Sequence, residues 1–214
     1  MFLVIIINQF NFLIKMIKSV ILDFDGVIHD TLKIAYSVAK IFYPDLTLKQ
    51  YKNMFNGNIY SHKKVIKKFR AEFLTLQHEK YLLLKIEREI KKELLKLKKK
   101  YNLYIISSNS ESTLNLYFEN NNIIHLFDEV LGYETHTSKE HKFNMILKKH
   151  KLKKNECIFV TDTLGDILEA NKIGIKTIAV DYGFHDRKRL EKGKPLKIIS
   201  DFKGIEKVIN SMTF

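Results

Sequence analysis

Residues 20–31 of this 214-residue chain read VILDFDGVIHDT, and this stretch decides the fold. The run Ser19–Leu22 is apolar and carries β-branched residues, which predicts a buried parallel strand. Asp23 and Asp25 follow it, and Gly26 then allows a sharp turn and the close approach of a ligand. Ligands of open α/β sheets bind at the carboxyl ends of the strands. A strand that ends in two acids therefore predicts a functional site.

A pair of carboxylates at a strand end has a specific chemistry. One can attack an electrophile and form a covalent intermediate, while the other acts as a general acid toward the leaving group and then as a base toward water. Two like charges this close repel each other, so we expect a divalent cation, and carboxylate oxygens suit Mg²⁺. The alternative is an acidic turn that ends a strand, because Asp and Gly are common turn residues.

The sequence DFDGV at residues 23–27 resembles the first motif of the haloacid dehalogenase superfamily, in its phosphatase branch. The dehalogenases themselves replace the second Asp, so the presence of Asp25 favours phosphoryl transfer. The resemblance implies that Asp23 is the nucleophile and Asp25 the general acid and base. It also implies that Mg²⁺ is held by the Asp23 side chain and the backbone carbonyl of Asp25.

Composition limits the class of protein. Apolar residues make up 45% of the chain, enough for a full core, and 37 Lys and Arg against 24 Asp and Glu give a net charge of +13. We assign this charge to solvated faces of amphipathic helices, and a nucleic-acid-binding or scaffold protein is the alternative. The single cysteine, Cys157, excludes an intramolecular disulfide, is expected in the core and fits a reducing, cytoplasmic location.

The pattern divides the chain into three regions. Residues 1–15 are predicted to be an extension outside the core fold, because Met16 would start such a fold naturally. Residues 32–99 read as helix without a strand, whereas residues 100–214 alternate between strands and helices. The second pattern predicts a doubly wound parallel sheet. We therefore predict an α/β, Rossmann-like core of residues 16–31 and 100–214 with an all-helical insertion, which the resemblance identifies as a substrate-selecting cap.

Individual elements can be placed within these regions. Strands are predicted at 103–106, 129–131, 157–160, 176–180 and 196–199, and helices at 111–121, 139–150, 165–172 and from Asp201 onward. In the insertion, Thr47 is the predicted N-cap of the second helix, and a third helix is predicted at 61–73. A long helix is predicted to follow, on the four-residue spacing of Leu82, Ile86, Ile90 and Leu94.

Ser107, Ser108 and Asn109 follow the second predicted strand. A hydroxyl and free backbone N–H groups at a strand end can bind phosphate, although Ser and Asn are also common in turns. The second motif of the superfamily is a Ser or Thr that ends this strand. Ser107 matches it best, and Ser108 is the close alternative.

A lysine begins the helix that follows the third strand. An ammonium group there would neutralise the nucleophile and hold phosphoryl oxygens. The third motif of the superfamily is a Lys at this helix start, which Lys139 matches. Related phosphatases usually have Lys-Pro there, whereas this chain has Lys139-Glu140, so Lys142 remains an alternative.

Asp162 and Asp166 follow the fourth predicted strand in the sequence TDTLGD. They could simply be acids at a helix N-terminus, where both are favourable. The fourth motif of the superfamily is commonly Gly-Asp with a second Asp four residues after the first. Thr161 replaces the Gly here, and the Asp spacing fits. The resemblance implies that Asp162 completes the Mg²⁺ site and that Asp166 supports it through water or Lys139.

The resemblance implies a Mg²⁺-dependent phosphatase that hydrolyses a small phosphorylated metabolite, such as a sugar phosphate or phosphoglycolate, through an aspartyl-phosphate. A phosphomutase is the close alternative. Residues 56–62 form the candidate specificity loop, although Tyr60 and His62 could equally be surface residues. His29 lies beside the site, where it could touch substrate or pack at the cap hinge. We expect a monomer or homodimer, with no nucleic-acid or membrane partner.

Overall fold

The computed structural model describes residues 17–61 and 70–212 and has a parallel sheet at its centre. Its six strands are β1 (Ser19–Leu22), β2 (Asn102–Ile106), β3 (Glu129–Leu131), β4 (Cys157–Thr161), β5 (Lys176–Val180) and β6 (Lys197–Ile199). They lie in the order β3-β2-β1-β4-β5-β6, and every neighbouring pair is parallel. The predicted doubly wound α/β fold is confirmed, and each predicted strand is present.

Apolar side chains cover both faces of the sheet, as a doubly wound fold requires. In β1, Val20 and Leu22 belong to one hydrophobic cluster and Ile21 to another, because successive side chains of a strand point to opposite faces. Cys157 is buried in the second cluster, as predicted. The strand order reverses at β1, between β2 and β4. Residues that follow these three strands therefore meet at one edge of the sheet.

Helices cover the sheet and extend beyond it. Those described are α1 (Leu32–Phe42), α2 (Leu48–Asn53), α3 (Arg70–Tyr81), α4 (Arg88–Lys98), α5 (Glu111–Asn120), α6 (Lys139–Lys149), α7 (Leu164–Ile173), α8 (Arg187–Leu190) and α9 (Gly204–Asn210). We refer to α1, α2 and α3 as the cap helices. In the ranges that the structure describes, no helix combines the length and apolar character needed to span a membrane.

The predicted start of α2 is confirmed. Thr47 Oγ1 accepts a hydrogen bond from Gln50 N at 3.2 Å, and Gln50 Oε1 accepts one from Thr47 N at 2.9 Å, which together form a capping box. The extension predicted at 1–15 lies wholly outside the described residues. The helix predicted at 61–73 lies partly outside them, and its described part, α3, continues to Tyr81, well beyond the predicted end.

The prediction of one long helix through residues 82–94 is wrong. α3 ends at Tyr81, and α4 begins only at Arg88. The Asn121 side chain accepts a hydrogen bond from Ile86 N at 2.9 Å and donates one to Leu84 O at 3.2 Å. These contacts hold the backbone in a non-helical connection, and the four-residue spacing merely continues across it.

Helix α4 packs against the sheet, although it lies within the predicted insertion. Leu94 and Leu97 are buried in the same hydrophobic cluster as Val20 and Leu22. The boundaries of the cap at 32 and 99 stay a prediction. The packing of α4 favours a second boundary between Tyr81 and Arg88, so that α4 belongs to the core.

Candidate active site

The position of Asp23 follows from the end of β1. Its backbone N–H donates to Val160 O at 2.9 Å, which continues the pairing with β4, and its Oδ1 accepts from Phe24 N at 2.7 Å. The chain then turns at Gly26, whose N–H donates to His29 O at 2.7 Å. The turn places Asp25 on the same side of the sheet edge as Asp23.

Lys139, the first residue of α6, lies between two carboxylates. Its Nζ is 2.6 Å from Asp23 Oδ2 and 2.8 Å from Asp166 Oδ2, and only 2% of the residue is exposed. Asp166 Oδ2 also accepts a hydrogen bond from Thr161 Oγ1 at 2.8 Å. One buried ammonium group therefore joins the residues that follow β1 and β4.

Burial and neighbouring charges have opposite effects on the pKa values of Lys139 and its two carboxylate partners. Burial alone would lower the pKa of Lys139, but the carboxylates of Asp166 and Asp23 raise it above its ordinary value. Burial raises the pKa of Asp23 well above its usual range, and Lys139 opposes this only in part. Burial also acts to raise the pKa of Asp166, but the charge of Lys139 and the hydrogen bonds to Asp166 together outweigh it, and the net pKa is lowered. Lys139 and Asp166 are thus an ionised pair, whereas the charge of Asp23 requires further compensation.

Three neutral donors surround the carboxyl group of Asp25. Its Oδ1 accepts hydrogen bonds from the hydroxyls of Thr31 and Tyr81, both at 2.6 Å, and its Oδ2 accepts one from Asn109 Nδ2 at 3.3 Å. Burial raises the pKa of Asp25, and these hydrogen bonds oppose the rise. Tyr81 ends the cap helix α3, so this carboxyl group also links the cap helices to the sheet.

Asp162 follows β4 and is fully buried. Its Oδ2 accepts a hydrogen bond from Phe184 N at 2.6 Å, while its Oδ1 is buried and has no hydrogen-bond partner among the residues that the structure describes. Burial raises the pKa of this carboxyl to about 8. A Cβ atom at Gly26, where φ is 74°, would lie 1.9 Å from Asp162 Oδ2. Only glycine therefore allows Asp162 to approach the Asp23–Asp25 turn this closely.

These acids fit a divalent cation. In the described residues, Asp162 Oδ1 has no hydrogen-bond partner, and Lys139 compensates the charge of the buried Asp23 carboxyl only in part because it also pairs with Asp166. Within residues 17–61 and 70–212, no three His, Cys, Asp or Glu side chains form a ligand cluster. Mg²⁺ does not need one, because it is commonly held by one or two carboxylates with water and substrate phosphate as the other ligands. Asp166 Oδ2 is bound by both Lys139 and Thr161, which fits the supporting role through Lys139 that the resemblance implies for it.

The structure separates the two serines that follow β2. Ser107 is fully buried, and its Oγ accepts a hydrogen bond from Asn109 N at 3.0 Å. Ser108 instead lines a small cavity together with Asp23 and Lys139. Neighbouring side chains of an extended chain point to opposite sides, so only one of the two can face this cavity. The structure thus places Ser108 at the cavity that contains the acids, and which of the two serines binds phosphate stays a prediction.

Lys142 lies one helical turn after Lys139 and has different partners. Its Nζ donates hydrogen bonds to the backbone carbonyls of Ser107 and, at 2.8 Å, Gly132. Burial lowers the pKa of Lys142 to about 8. Lys142 thus connects the segments that follow β2 and β3, whereas Lys139 contacts the acids. The geometry favours Lys139 for the role that the third motif implies.

The candidate specificity loop contacts the sheet edge. Asn58 Nδ2 donates to Thr137 O and to Glu169 Oε1, both at 3.0 Å. The hydroxyl of Tyr60 donates to the backbone carbonyl of Ser108, so Tyr60 is not simply a surface residue. The loop therefore covers the cavity that contains the acids.

His29, a candidate for substrate contact, packs against a residue of α5. His29 Nδ1 lies 3.1 Å from the hydroxyl of Tyr117, and the two rings pack edge to face. This contact favours a packing role for His29 rather than substrate contact. His62 lies outside the residues that the structure describes.

The comparison with family models agrees with this geometry. The model of the haloacid dehalogenase-like hydrolases matches residues 20–180, a range that includes all the acids described above. This chain belongs to that family. The fold is shared with a haloacid dehalogenase-like hydrolase from Streptococcus pneumoniae, with a TM-score of 0.72 and 21% identity, over 89% of this chain and 97% of that one.

Two curated relatives resemble part of this haloacid dehalogenase-like chain. A phosphoglycolate phosphatase from Aliivibrio fischeri is 26% identical over 113 residues, 51% of this chain and 50% of that protein. A 5'-nucleotidase from Pseudomonas aeruginosa is 28% identical over 88 residues, 40% of each chain. The chain thus matches half or less of the length of these relatives. The names of these two relatives describe different activities, so the shared region does not specify a substrate.

Two residues that contact Asp25 in this haloacid dehalogenase-like chain, Thr31 and Tyr81, were not among the predicted site residues. Thr31 lies within residues 20–31 and could have been predicted, because a hydroxyl close to a buried acid is a natural hydrogen-bond partner for it. Tyr81 lies 56 residues away from Asp25 in the sequence, in a helix whose residues have no motif. Only the folded structure brings it to the site.

Proposed function

We propose that this chain is a phosphatase that hydrolyses small phosphate monoesters through an aspartyl-phosphate on Asp23. One observation carries the proposal. Two carboxylates of one turn have different surroundings: Asp23 contacts the ammonium of Lys139 at 2.6 Å, whereas Asp25 is held by neutral donors alone. A carboxylate beside a cation suits a nucleophile, and a carboxyl group held by neutral hydrogen-bond donors suits a group that gives and takes a proton.

In the first step, a carboxylate oxygen of Asp23 attacks phosphorus and forms a new P–O bond. The bond between phosphorus and the ester oxygen breaks, and Asp25 gives its proton to the departing oxygen. In the second step, Asp25 takes a proton from water as the water oxygen attacks phosphorus. The acyl-phosphate bond then breaks, which releases inorganic phosphate and regenerates the Asp23 carboxylate.

Other residues of the site stabilise charge on the phosphoryl group. The buried ammonium of Lys139 and the hydroxyl of Ser108, two residues that line the small cavity, are suited to hold the phosphoryl oxygens. Asp23, Asp162 and the carbonyl of Asp25 would hold Mg²⁺, which when bound supplies a positive charge that draws electron density from the phosphoryl oxygens. Asp166 and Thr161 keep Lys139 in place.

Removal of divalent cations tests this proposal. We expect release of inorganic phosphate from p-nitrophenyl phosphate to stop in EDTA and to return with Mg²⁺, because the buried carboxyls of Asp23 and Asp162 are suited to bind a divalent cation that neutralises charge on the phosphoryl group. Full activity in EDTA would contradict the metal site. A folded protein that releases no phosphate, but interconverts sugar monophosphates when a sugar bisphosphate is supplied as activator, would be a mutase instead.

The pH dependence of the Tyr81→Phe variant tests the role of Asp25. The Tyr81 hydroxyl donates to Asp25 and thereby stabilises its ionised form, so its removal raises the pKa of Asp25 further. The first step needs protonated Asp25, and kcat/KM falls as pH rises through this pKa. We expect the alkaline limb of the kcat/KM profile to move by about one pH unit to higher pH.

A matched control for that variant is Tyr101→Phe. Tyr101 directly precedes β2, at the end of the sheet opposite the site. This variant should leave the profile unchanged. An alkaline limb that moves to lower pH in Tyr81→Phe, or that does not move, would mean that Asp25 is not the acid of the first step.

A further inference from the structure

A cavity of about 100 Å³ lies beneath the cap helices and adjoins the acids. A smaller cavity of about 40 Å³ contains the polar residues of the site, among them Asp23, Lys139 and Asp162. Asp25 and Ser108 line both cavities. In the proposed function the phosphoryl group occupies the polar cavity and the ester oxygen lies beside Asp25. The rest of the leaving group must therefore enter the larger cavity.

The walls of this larger cavity, here the leaving-group cavity, are apolar. Tyr51, Phe55 and Phe184 form one wall, in which Phe55 packs edge to face on both other rings, with centroids 5.4 and 5.0 Å away. Ala35 and Ala39 face it from one side of α1, one helical turn apart, and both are buried. The small alanines leave the space open, and the packed rings hold its shape.

The leaving-group cavity has no cationic side chain among its described lining residues. Asp25 is the only acid among them, and none is Lys, Arg or His. An anionic leaving group would be buried here without a positive partner and beside a carboxyl group, which is costly. An uncharged apolar group gains free energy from burial at the same position.

We infer that the substrates of this phosphatase are phosphate monoesters of uncharged, apolar alcohols, of short alkyl or aryl type, rather than of alcohols that carry a carboxylate. This inference rests on the proposed function, since it uses the position of the phosphoryl group at Asp23. The cavity is far larger than the space that one water needs, so it accepts a group of several non-hydrogen atoms.

Three phosphate esters test the inference on the wild-type protein with Mg²⁺. Butyl phosphate and phosphoglycolate have the same number of non-hydrogen atoms beyond the ester oxygen but differ in charge, and methyl phosphate lacks the apolar chain. We expect kcat/KM for butyl phosphate to exceed that for each of the others by roughly tenfold or more. Equal or faster hydrolysis of phosphoglycolate would overturn the inference and leave the proposed function intact. Hydrolysis of none of the three by folded protein would overturn both.

The Ala39→Leu variant tests whether the alkyl chain of the substrate binds in the leaving-group cavity. Leucine at this position fills the leaving-group cavity, so the preference for butyl over methyl phosphate should fall by roughly tenfold. The control is Ala71→Leu on α3, where the side chain is exposed and the preference should stay as in the wild type. An unchanged preference in Ala39→Leu would overturn the inference. If that variant does not fold, the three esters on the wild-type protein still decide.

Discussion

Asp23→Asn should lower phosphate release by roughly 10⁴-fold or more, because an amide of nearly the same shape cannot serve as the nucleophile. The variant should still fold, since Lys139 keeps its second carboxylate, Asp166, at 2.8 Å. The measurement is phosphate release from p-nitrophenyl phosphate at saturating Mg²⁺, with circular dichroism to verify the fold.

Asp45→Asn is the matched control for Asp23→Asn. Asp45 is exposed between α1 and α2, away from the acids, and its replacement should leave the rate unchanged. A trapped phosphoenzyme should be detected with wild-type protein and lost in Asp23→Asn. A variant that keeps more than a small fraction of the rate would show that Asp23 is not the nucleophile, and water attack assisted by another group would then replace the covalent mechanism.

Lys139→Met should have the second largest effect, on both activity and stability. It keeps the aliphatic stem but removes the ammonium that contacts Asp23 and Asp166. The loss of a charge that stabilises phosphoryl oxygens should lower kcat by roughly 10²- to 10³-fold. Two buried carboxylates without a partner should lower the free energy of unfolding at neutral pH by about 3 to 5 kcal/mol.

The loss of stability caused by Lys139→Met should depend on pH. Lys139 lowers the pKa of Asp166 in the folded protein. The ion pair therefore contributes stability above the ordinary pKa of Asp, and this contribution is lost as pH falls and Asp166 takes a proton. The difference in free energy of unfolding between wild type and variant, measured by urea denaturation, should become smaller as pH is lowered from neutral to acidic values.

Lys142→Met is the matched comparison for Lys139→Met, because both lysines are buried on α6. In the part of the chain that the structure describes, Lys142 donates to the backbone carbonyls of Ser107 and Gly132 and to no carboxylate. Its replacement should change kcat by less than about tenfold and the free energy of unfolding by about 1 to 2 kcal/mol. A larger loss of activity in Lys142→Met than in Lys139→Met would assign the third motif to Lys142.

Local patterns were sufficient for the sheet but not for the cap helices. Short apolar runs bounded by polar residues predicted every strand, because a strand buried on both faces needs an unbroken apolar sequence. The four-residue spacing from Leu82 to Leu94 failed, since helical periodicity cannot reveal that Asn121, distant in sequence, holds the backbone at Leu84 and Ile86 out of a helix. Tertiary hydrogen bonds overrode the local pattern there.

The sequence by itself determined the class of fold and the identity of the acids. Asp23, Asp25, Asp162 and Asp166 each follow a predicted strand, and the carboxyl ends of parallel strands must meet at one edge of the sheet. Their order along the chain was therefore enough to predict that they converge.

Only the tertiary structure decided which side chains contact these acids and what surrounds them. It distinguished Lys139 from Lys142 and Ser108 from Ser107, because neighbouring positions differ only in the direction in which the folded backbone points each side chain. It brought Tyr81 to Asp25 and placed apolar cap residues beside the acid. Contacts between distant segments depend on how the cap helices pack on the sheet, and no local pattern in the sequence records that packing.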